Sequence, residues 1–89
     1  MYRIKPAQRK RAKEIGVAIS PSTKGDFKLD VHSKGRLIAS IGDRRYSDFD
    51  TYKETKGPAY AQARRDAYFR RHQSDKSLRG LLAKVLLWT

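Results

Sequence analysis

The chain has 89 residues and a mass of 10.3 kDa, which suits one small domain. Twenty-one Lys and Arg against nine Asp and Glu give a formal net charge of +12. No apolar stretch approaches the roughly 20 residues of a membrane-spanning helix, and we expect no secretory signal because no apolar segment follows the first basic residues. The chain has no Cys, and two His argue against a zinc site, so we expect no metal and no cofactor.

The apolar content is low for a globular protein. Apolar residues make up 38% of the chain, and the mean hydropathy is −0.81. A chain of this length buries only about 60–65% of its unfolded surface. We therefore expect a small core that gains stability from an anionic partner: nucleic acid, an acidic protein surface or lipid headgroups.

The N-terminal segment is strongly basic. We predict a basic arm over residues 1–14 and a single domain over 15–89. A block of like charge usually stays solvated, so this arm is either a disordered tail or a segment that orders on a polyanion. A nuclear-localisation signal within 9–13 would be an interpretation of low specificity. The arm's candidate polyanion-binding residues are Arg3, Lys5, Arg9, Lys10, Arg11 and Lys13.

Two neighbouring segments alternate between apolar and polar residues. Residues 27–31 and 36–41 both have the period of a half-buried strand. A short loop over 32–35, which contains Gly35, separates them, and this arrangement predicts a β-hairpin. The apolar run 15–19 is either a third, edge strand or the end of a helix that begins near Ala7.

Two helices are predicted after the hairpin. The first runs from about residue 50 to 56, with candidate N-caps in 47–50. Gly57 suits the left-handed position after a helix, and Pro58 suits the first turn of the next, which we predict over 58–72. We expect its arginines on the margins and far side. Its packed face is predicted to consist of Ala59, Tyr60, Ala63, Ala67 and Tyr68.

The C-terminal segment has the most regular helical pattern of the chain. From Leu78 onward, apolar residues recur at three- and four-residue spacing. Such a helix either completes the core or docks on a neighbouring protein, and the sequence leaves both open. If it docks, the predicted partner-binding residues are Leu81, Leu82, Val85, Leu86 and Trp88.

No group of residues points to catalysis. The candidate acids, such as Asp43 and Asp48, lie beside helix starts and among many bases, where helix caps and ion pairs explain them better. No nucleophile motif and no Gly-rich phosphate loop is present. We therefore predict that the protein is not an enzyme and takes no small-molecule substrate.

Paired arginines near aromatic residues favour polyanion binding. Guanidinium groups fork onto phosphate oxygens, and flat rings can stack on bases, although most aromatics here are better explained as core. No helix-turn-helix, zinc-finger or ribonucleoprotein motif is present, so contact would be directed at the backbone. Outside the arm, the candidate residues are Arg44, Arg45, Arg64, Arg65, Arg70 and Arg71.

Several motifs together resemble a family of small basic proteins encoded by large double-stranded DNA viruses and some phages. The resemblance rests on segments 19–24, 28–31 and 46–49, the arginine-rich segment 64–72 and a Leu-Trp ending at 86–88. It extends piecemeal over residues 19–88. It implies a virion-associated protein and supplies no catalytic residue.

We predict an α+β fold: a small β-hairpin, with a third strand if 15–19 is extended, packed by two or three helices. The leading functional hypothesis is a small structural protein of a virus particle, a minor capsid or cementing component. Its partners would be other capsid proteins and the DNA genome. The alternative is a protein that binds or condenses nucleic acid without sequence preference, and attachment to a membrane surface is a weaker third.

Overall fold

The computed structural model describes residues 2–88, which contain a three-stranded antiparallel sheet and four helices. The predicted α+β fold, including the third strand, is therefore confirmed. The chain divides into two compact units, one ending at Tyr46 and the other beginning at Ser47.

Helix α1, Pro6–Ile15, opens the first unit. The side chain of Gln8 is buried; its Oε1 accepts from the Lys5 amide at 2.9 Å and its Nε2 donates to the Tyr2 hydroxyl at 2.8 Å. The helix ends at Gly16, whose φ of 77° is left-handed. Most of the predicted basic arm is thus helical. Of the apolar run 15–19, Ile15 ends this helix, and residues 18 and 19 lie in the strand that follows.

The sheet is a meander of three strands. Strand β1, Ala18–Pro21, pairs with β2, Phe27–Ser33, which pairs with β3, Arg36–Asp43. The predicted hairpin is confirmed, but its loop has two residues because Lys34, with φ 51°, and Gly35, with φ 76°, turn the chain alone. Two successive positive φ values are typical of a type I′ turn, which matches the twist of the strands.

In the middle of the sheet both faces are buried, but they differ in chemistry. Leu29 and Val31 on β2 and Ile41 on β3 are fully buried. On the opposite face Asp30 Oδ1 accepts hydrogen bonds from the hydroxyls of Ser22 and Ser40, both at 2.7 Å. Strand β2 therefore joins its neighbours through side chains as well as through the backbone.

The Asp30 carboxylate makes this polar face sensitive to acid. Burial acts to raise its pKa, but hydrogen bonds from Ser40, Ser22 and the Thr23 amide, with the charge of Lys24, together hold the pKa below its ordinary value of 3.8. The stabilisation is therefore present above that ordinary pKa, and it is lost as the pH falls through the lower pKa of the folded state.

We expect the free energy of unfolding to fall more steeply between about pH 5 and pH 2 in the wild type than in Asp30→Asn. Asn keeps the shape and the acceptor oxygen of Asp but removes the titrating group. Urea denaturation across this pH range measures the difference. Parallel curves for the two proteins would contradict the assigned role of Asp30.

The second unit contains three helices with well-defined starts. Asp48 caps α2, Phe49–Lys56, by accepting from the Thr51 amide at 2.9 Å, and Ser77 caps α4, Leu78–Leu87. Helix α3 is Pro58–Arg71. The helices predicted over about 50–56 and 58–72 are confirmed to within a residue at each end, and the helical pattern predicted from Leu78 onward is confirmed as α4.

Gly57 separates α2 from α3 in a conformation that differs from the expected one. Its φ is 90° and its ψ is 165°, so it does not take the left-handed helical position predicted after α2. This extended region with positive φ is essentially restricted to glycine. Glycine is thus favoured at this position, although not in the helix-cap conformation that the sequence predicts.

The packed face of α3 differs from the predicted one. Ala59, Tyr60 and Ala63 are exposed, whereas Ala61 is fully buried and Tyr68 is half-buried. The buried face is therefore rotated from the predicted stripe of small residues towards the side that carries the paired arginines. Long aliphatic stems allow arginines to pack while their guanidinium groups find polar or aromatic partners.

Candidate nucleic-acid interface

Positive charge is concentrated in the first unit. The sequence up to Tyr46 holds twelve Lys and Arg against four Asp and Glu, an excess of eight, whereas the remainder holds nine against five, an excess of four. Two thirds of the net charge therefore lie in the half of the chain that contains α1 and the sheet. A surface of this kind attracts polyanions over a Debye length of about 8 Å at physiological salt.

Most of these cations are exposed, and the acids do little to neutralise them. Among the acids, Asp30 is buried and Asp43 is paired with Arg45, which leaves Glu14 and Asp26 as the other exposed acids of this unit. We call the exposed cations of the first unit the cationic surface. It consists of Arg3, Arg9, Lys10, Lys13, Lys24, Lys34, Arg36, Arg44 and Arg45.

Helix α1 carries the densest part of this surface. Arg9, Lys10 and Lys13 are all exposed, and their spacing of three and four residues places neighbours on one side of the helix. Arg9 and Lys13 also line a shallow groove of about 270 Å³ whose other walls come from Ala12 and residues 17–19. Two cations on the wall of an open groove present charge-assisted donors to a phosphate chain.

The other arm residues have more varied positions. Arg3 is exposed, whereas Lys5 and Arg11 are half-buried. Lys5 takes part in the start of α1 through its backbone amide. Of the six predicted arm residues, the four exposed ones are therefore the best placed to meet a partner.

The predicted pair Arg44 and Arg45 follows β3, and its two members are not equivalent. Arg45 Nη2 contacts Asp43 Oδ2 at 2.7 Å, and its guanidinium also lies 5.7 Å from the centre of the Tyr46 ring. The hydrogen bond from Arg45 lowers the pKa of Asp43 to about 2. Arg45 is thus already engaged by a carboxylate, whereas the Arg44 side chain is exposed.

The sequence places Arg64 and Arg65 on the margins and far side of α3, but in the structure both are half-buried and contact other side chains of the second unit. Arg65 Nε donates to the Trp88 carbonyl at 2.8 Å, and its guanidinium lies 4.8 Å from the Phe69 ring centre. Arg64 lies 5.7 Å from the Tyr52 ring centre, and its Nε is buried. Both arginines belong to the packing of the second unit, because their aromatic neighbours and the end of α4 surround them.

We therefore expect Arg65→Met to lower the free energy of unfolding by roughly 1–3 kcal/mol, because a charged donor to the Trp88 carbonyl is lost. Met keeps the apolar stem. The matched control is Arg70→Met, which alters an exposed arginine of the same helix and should change stability by no more than about 0.5 kcal/mol. Urea denaturation compares them, and equal effects would contradict the structural role of Arg65.

The last predicted arginine pair, Arg70 and Arg71, is exposed at the end of α3. Positive charge at a helix C-terminus interacts favourably with the helix dipole. These residues are accessible to a polyanion, but they lie in the unit with the smaller excess of charge.

The predicted partner-binding residues of α4 are mostly buried. Leu82, Leu86 and Trp88 are buried, and Val85 is half-buried, so of the five only Leu81 is exposed. The Trp88 ring stacks on Tyr68, with ring centres 4.5 Å apart and planes 10° from parallel. Of the two alternatives left open by the sequence, the helix completes the core, and the buried residues are not available to a neighbour.

Sequence reasoning missed three exposed cations of the sheet and its loops. Lys34 and Arg36 flank Gly35 in the hairpin turn, and Lys24 lies between β1 and β2. The signal that could have found them was present, because residues of a tight hairpin turn are exposed.

The two acids named as catalytic candidates, Asp43 and Asp48, have structural roles. Asp48 caps α2, and Asp43 pairs with Arg45.

Within residues 2–88 no cluster of three or more His, Asp or Glu could hold a metal ion. No helix of that range is long and apolar enough to cross a bilayer.

Comparison with known proteins finds no matching family model, no matching curated protein and no matching solved structure. What the chain does is therefore inferred from its own residues and their positions.

Proposed function

We propose that the protein binds nucleic acid through the phosphate backbone, without sequence preference, by the cationic surface of its first unit. The observation that carries this proposal is the excess of eight positive charges up to Tyr46, most of it on exposed side chains. Neutralising phosphates with Lys and Arg releases condensed counterions, and this release supplies essentially all of the affinity in non-specific binding.

The distribution of apolar residues supports nucleic acid over a protein partner as the main ligand. Leu82, Leu86 and Trp88, on which docking to a capsid neighbour would depend, are buried. The exposed cations of α1 have no comparable alternative use in packing. We therefore favour nucleic-acid binding without sequence preference over a structural role in a virus particle, which is the leading hypothesis from the sequence.

The test is a salt titration of affinity for duplexes of random sequence, followed by fluorescence anisotropy. We expect the logarithm of the binding constant to fall linearly with the logarithm of salt concentration, with a slope of about −0.9 for each phosphate contacted. Duplexes of unrelated sequence should give the same line. Absence of binding at low salt would overturn the proposal.

A role in a virus particle is the second candidate, favoured by the resemblance and by Leu78 and Leu81, which stay exposed on one side of α4. In that setting the nucleic acid is the packaged genome, and this apolar pair is what remains for a capsid partner. Mass spectrometry of purified particles tests it. Detection in the particle, with crosslinks from α4 to a shell protein, is the expected result, and absence from particles would contradict it.

A further inference from the structure

One end of the sheet in the first unit gathers exposed aliphatic side chains. Leu37 and Ile38, just after the hairpin turn, are 46% and 37% exposed. Ile15, at the end of α1, is 43% exposed and lies three residues before Ala18. Because Ala18 pairs with His32 and His32 pairs with Leu37, the end of α1 and the hairpin turn lie at the same end of the sheet.

A β-bulge explains why two successive residues of β3 are exposed. The pairing register shifts between Val31 and His32, which leaves Ile38 as the extra residue between the partners Leu37 and Ala39. A bulge breaks the strict alternation of side chains and re-aims the residues beside it. Leu37 and Ile38 are thus both exposed beside the bulge, at the end of β3 that follows the hairpin turn.

Cations border these aliphatic residues. Lys34 and Arg36 belong to the turn and the start of β3, and Lys13 precedes Ile15 on α1; all three are exposed. The minor groove of a duplex has a complementary pattern, because two rows of phosphates border walls that are formed by the apolar faces of the sugars. We call the six residues the hairpin-end patch: Lys13, Ile15, Lys34, Arg36, Leu37 and Ile38.

We propose that the hairpin-end patch enters the minor groove of double-stranded DNA and bends it, an inference that rests on the proposed function. The minor groove of undeformed B-DNA is about 6 Å wide. The hairpin of β2 and β3 is wider than this, because its strands lie about 4.8 Å apart and their side chains add to the width. Entry therefore opens the groove, and apolar side chains placed there bend duplexes by roughly 20–90° towards the major groove.

A bilayer surface fits the patch less well. Each of its three aliphatic residues keeps more than half of its surface against the protein, so the apolar area left for burial in a bilayer is small. Duplex DNA is therefore the favoured occupant.

The experiment measures DNA bending separately from affinity. A duplex of about 30 base pairs, a length for which a protein-induced bend is measurable, carries a donor and an acceptor dye at its two ends. We expect saturating wild-type protein to raise energy transfer. Leu37→Ser with Ile38→Ser should lose at least half of that rise and keep the salt slope of binding. The matched control, Leu78→Ser with Leu81→Ser, changes an exposed pair of the other unit and should bend DNA like the wild type.

Circular dichroism first establishes that the variants are folded. Binding by the wild type without bending, or undiminished bending by the Leu37 and Ile38 variant, overturns this inference and leaves the proposed function intact. The same holds if that variant keeps its bending but loses binding to anionic vesicles, which would identify lipid as the occupant. Absence of any duplex binding by the wild type overturns both proposals together.

Discussion

Replacing Arg9, Lys10 and Lys13 by Gln is expected to weaken binding to duplex DNA about a hundredfold at 0.15 M salt. The slope of log binding constant against log salt should become less steep by about 2.7, which corresponds to three phosphate contacts. All three side chains are exposed on α1, and Gln has a helix propensity close to that of Lys and Arg, so the helix should persist. Fluorescence anisotropy at several salt concentrations measures both quantities.

The matched control removes the same charge from the second unit. Arg70, Arg71 and Lys76 are exposed there, and their replacement by Gln also lowers the net charge by three. We expect the salt slope of this control to change by less than about 1. If the two triple variants weakened binding equally, the affinity would depend on total charge and not on the cationic surface of the first unit.

Trp88→Ala is expected to lower the free energy of unfolding by about 3–5 kcal/mol. The ring is buried, stacks on Tyr68 and lies 6.2 Å from the Tyr52 ring centre, so its loss leaves a cavity among the rings that join the three helices. Small domains have a total stability of only about 5–15 kcal/mol. The second unit should therefore be largely unfolded at moderate urea concentrations that the wild type withstands.

The measurement uses circular dichroism, because Trp88 is the single tryptophan and the variant loses the fluorescence signal. Leu78→Ala serves as the control, since that side chain is 52% exposed and should contribute little to stability. If Trp88 served only to dock on another protein, its replacement would leave the free energy of unfolding of the isolated chain unchanged. Unchanged stability of Trp88→Ala in the isolated chain would restore Trp88 to the partner-binding set.

The predictable parts of the fold were those determined by local chemistry. The hairpin followed from alternation and Gly35, and the starts of α2 and α3 followed from capping residues and Pro58. These signals act within a few residues, so they can be recognised without knowing the tertiary structure. The sequence predicts a four-residue loop and not the observed two-residue turn, because that turn requires a positive φ at Lys34, which is uncommon for residues other than glycine.

The candidate site was harder to predict because exposure depends on packing. Arg65 looks like a surface cation in the sequence, yet its environment is formed by Phe69 on its own helix and by Trp88, 23 residues away. The apolar pattern of α4 correctly predicted a helix but could not tell a buried face from a docking face. Arg9, Lys10 and Lys13 are exposed, since a dense basic segment has few ways to be buried, and their binding of a polyanion stays a prediction.

The excess charge of the first unit also implies opposite responses to ionic strength. Twelve cations on 46 residues repel one another in the folded state, and added salt screens this repulsion. Potassium chloride should thus raise the melting temperature of the isolated protein while releasing it from DNA. Bound duplex would take over the screening role of salt, so the polymer acts on the protein as a concentrated counterion.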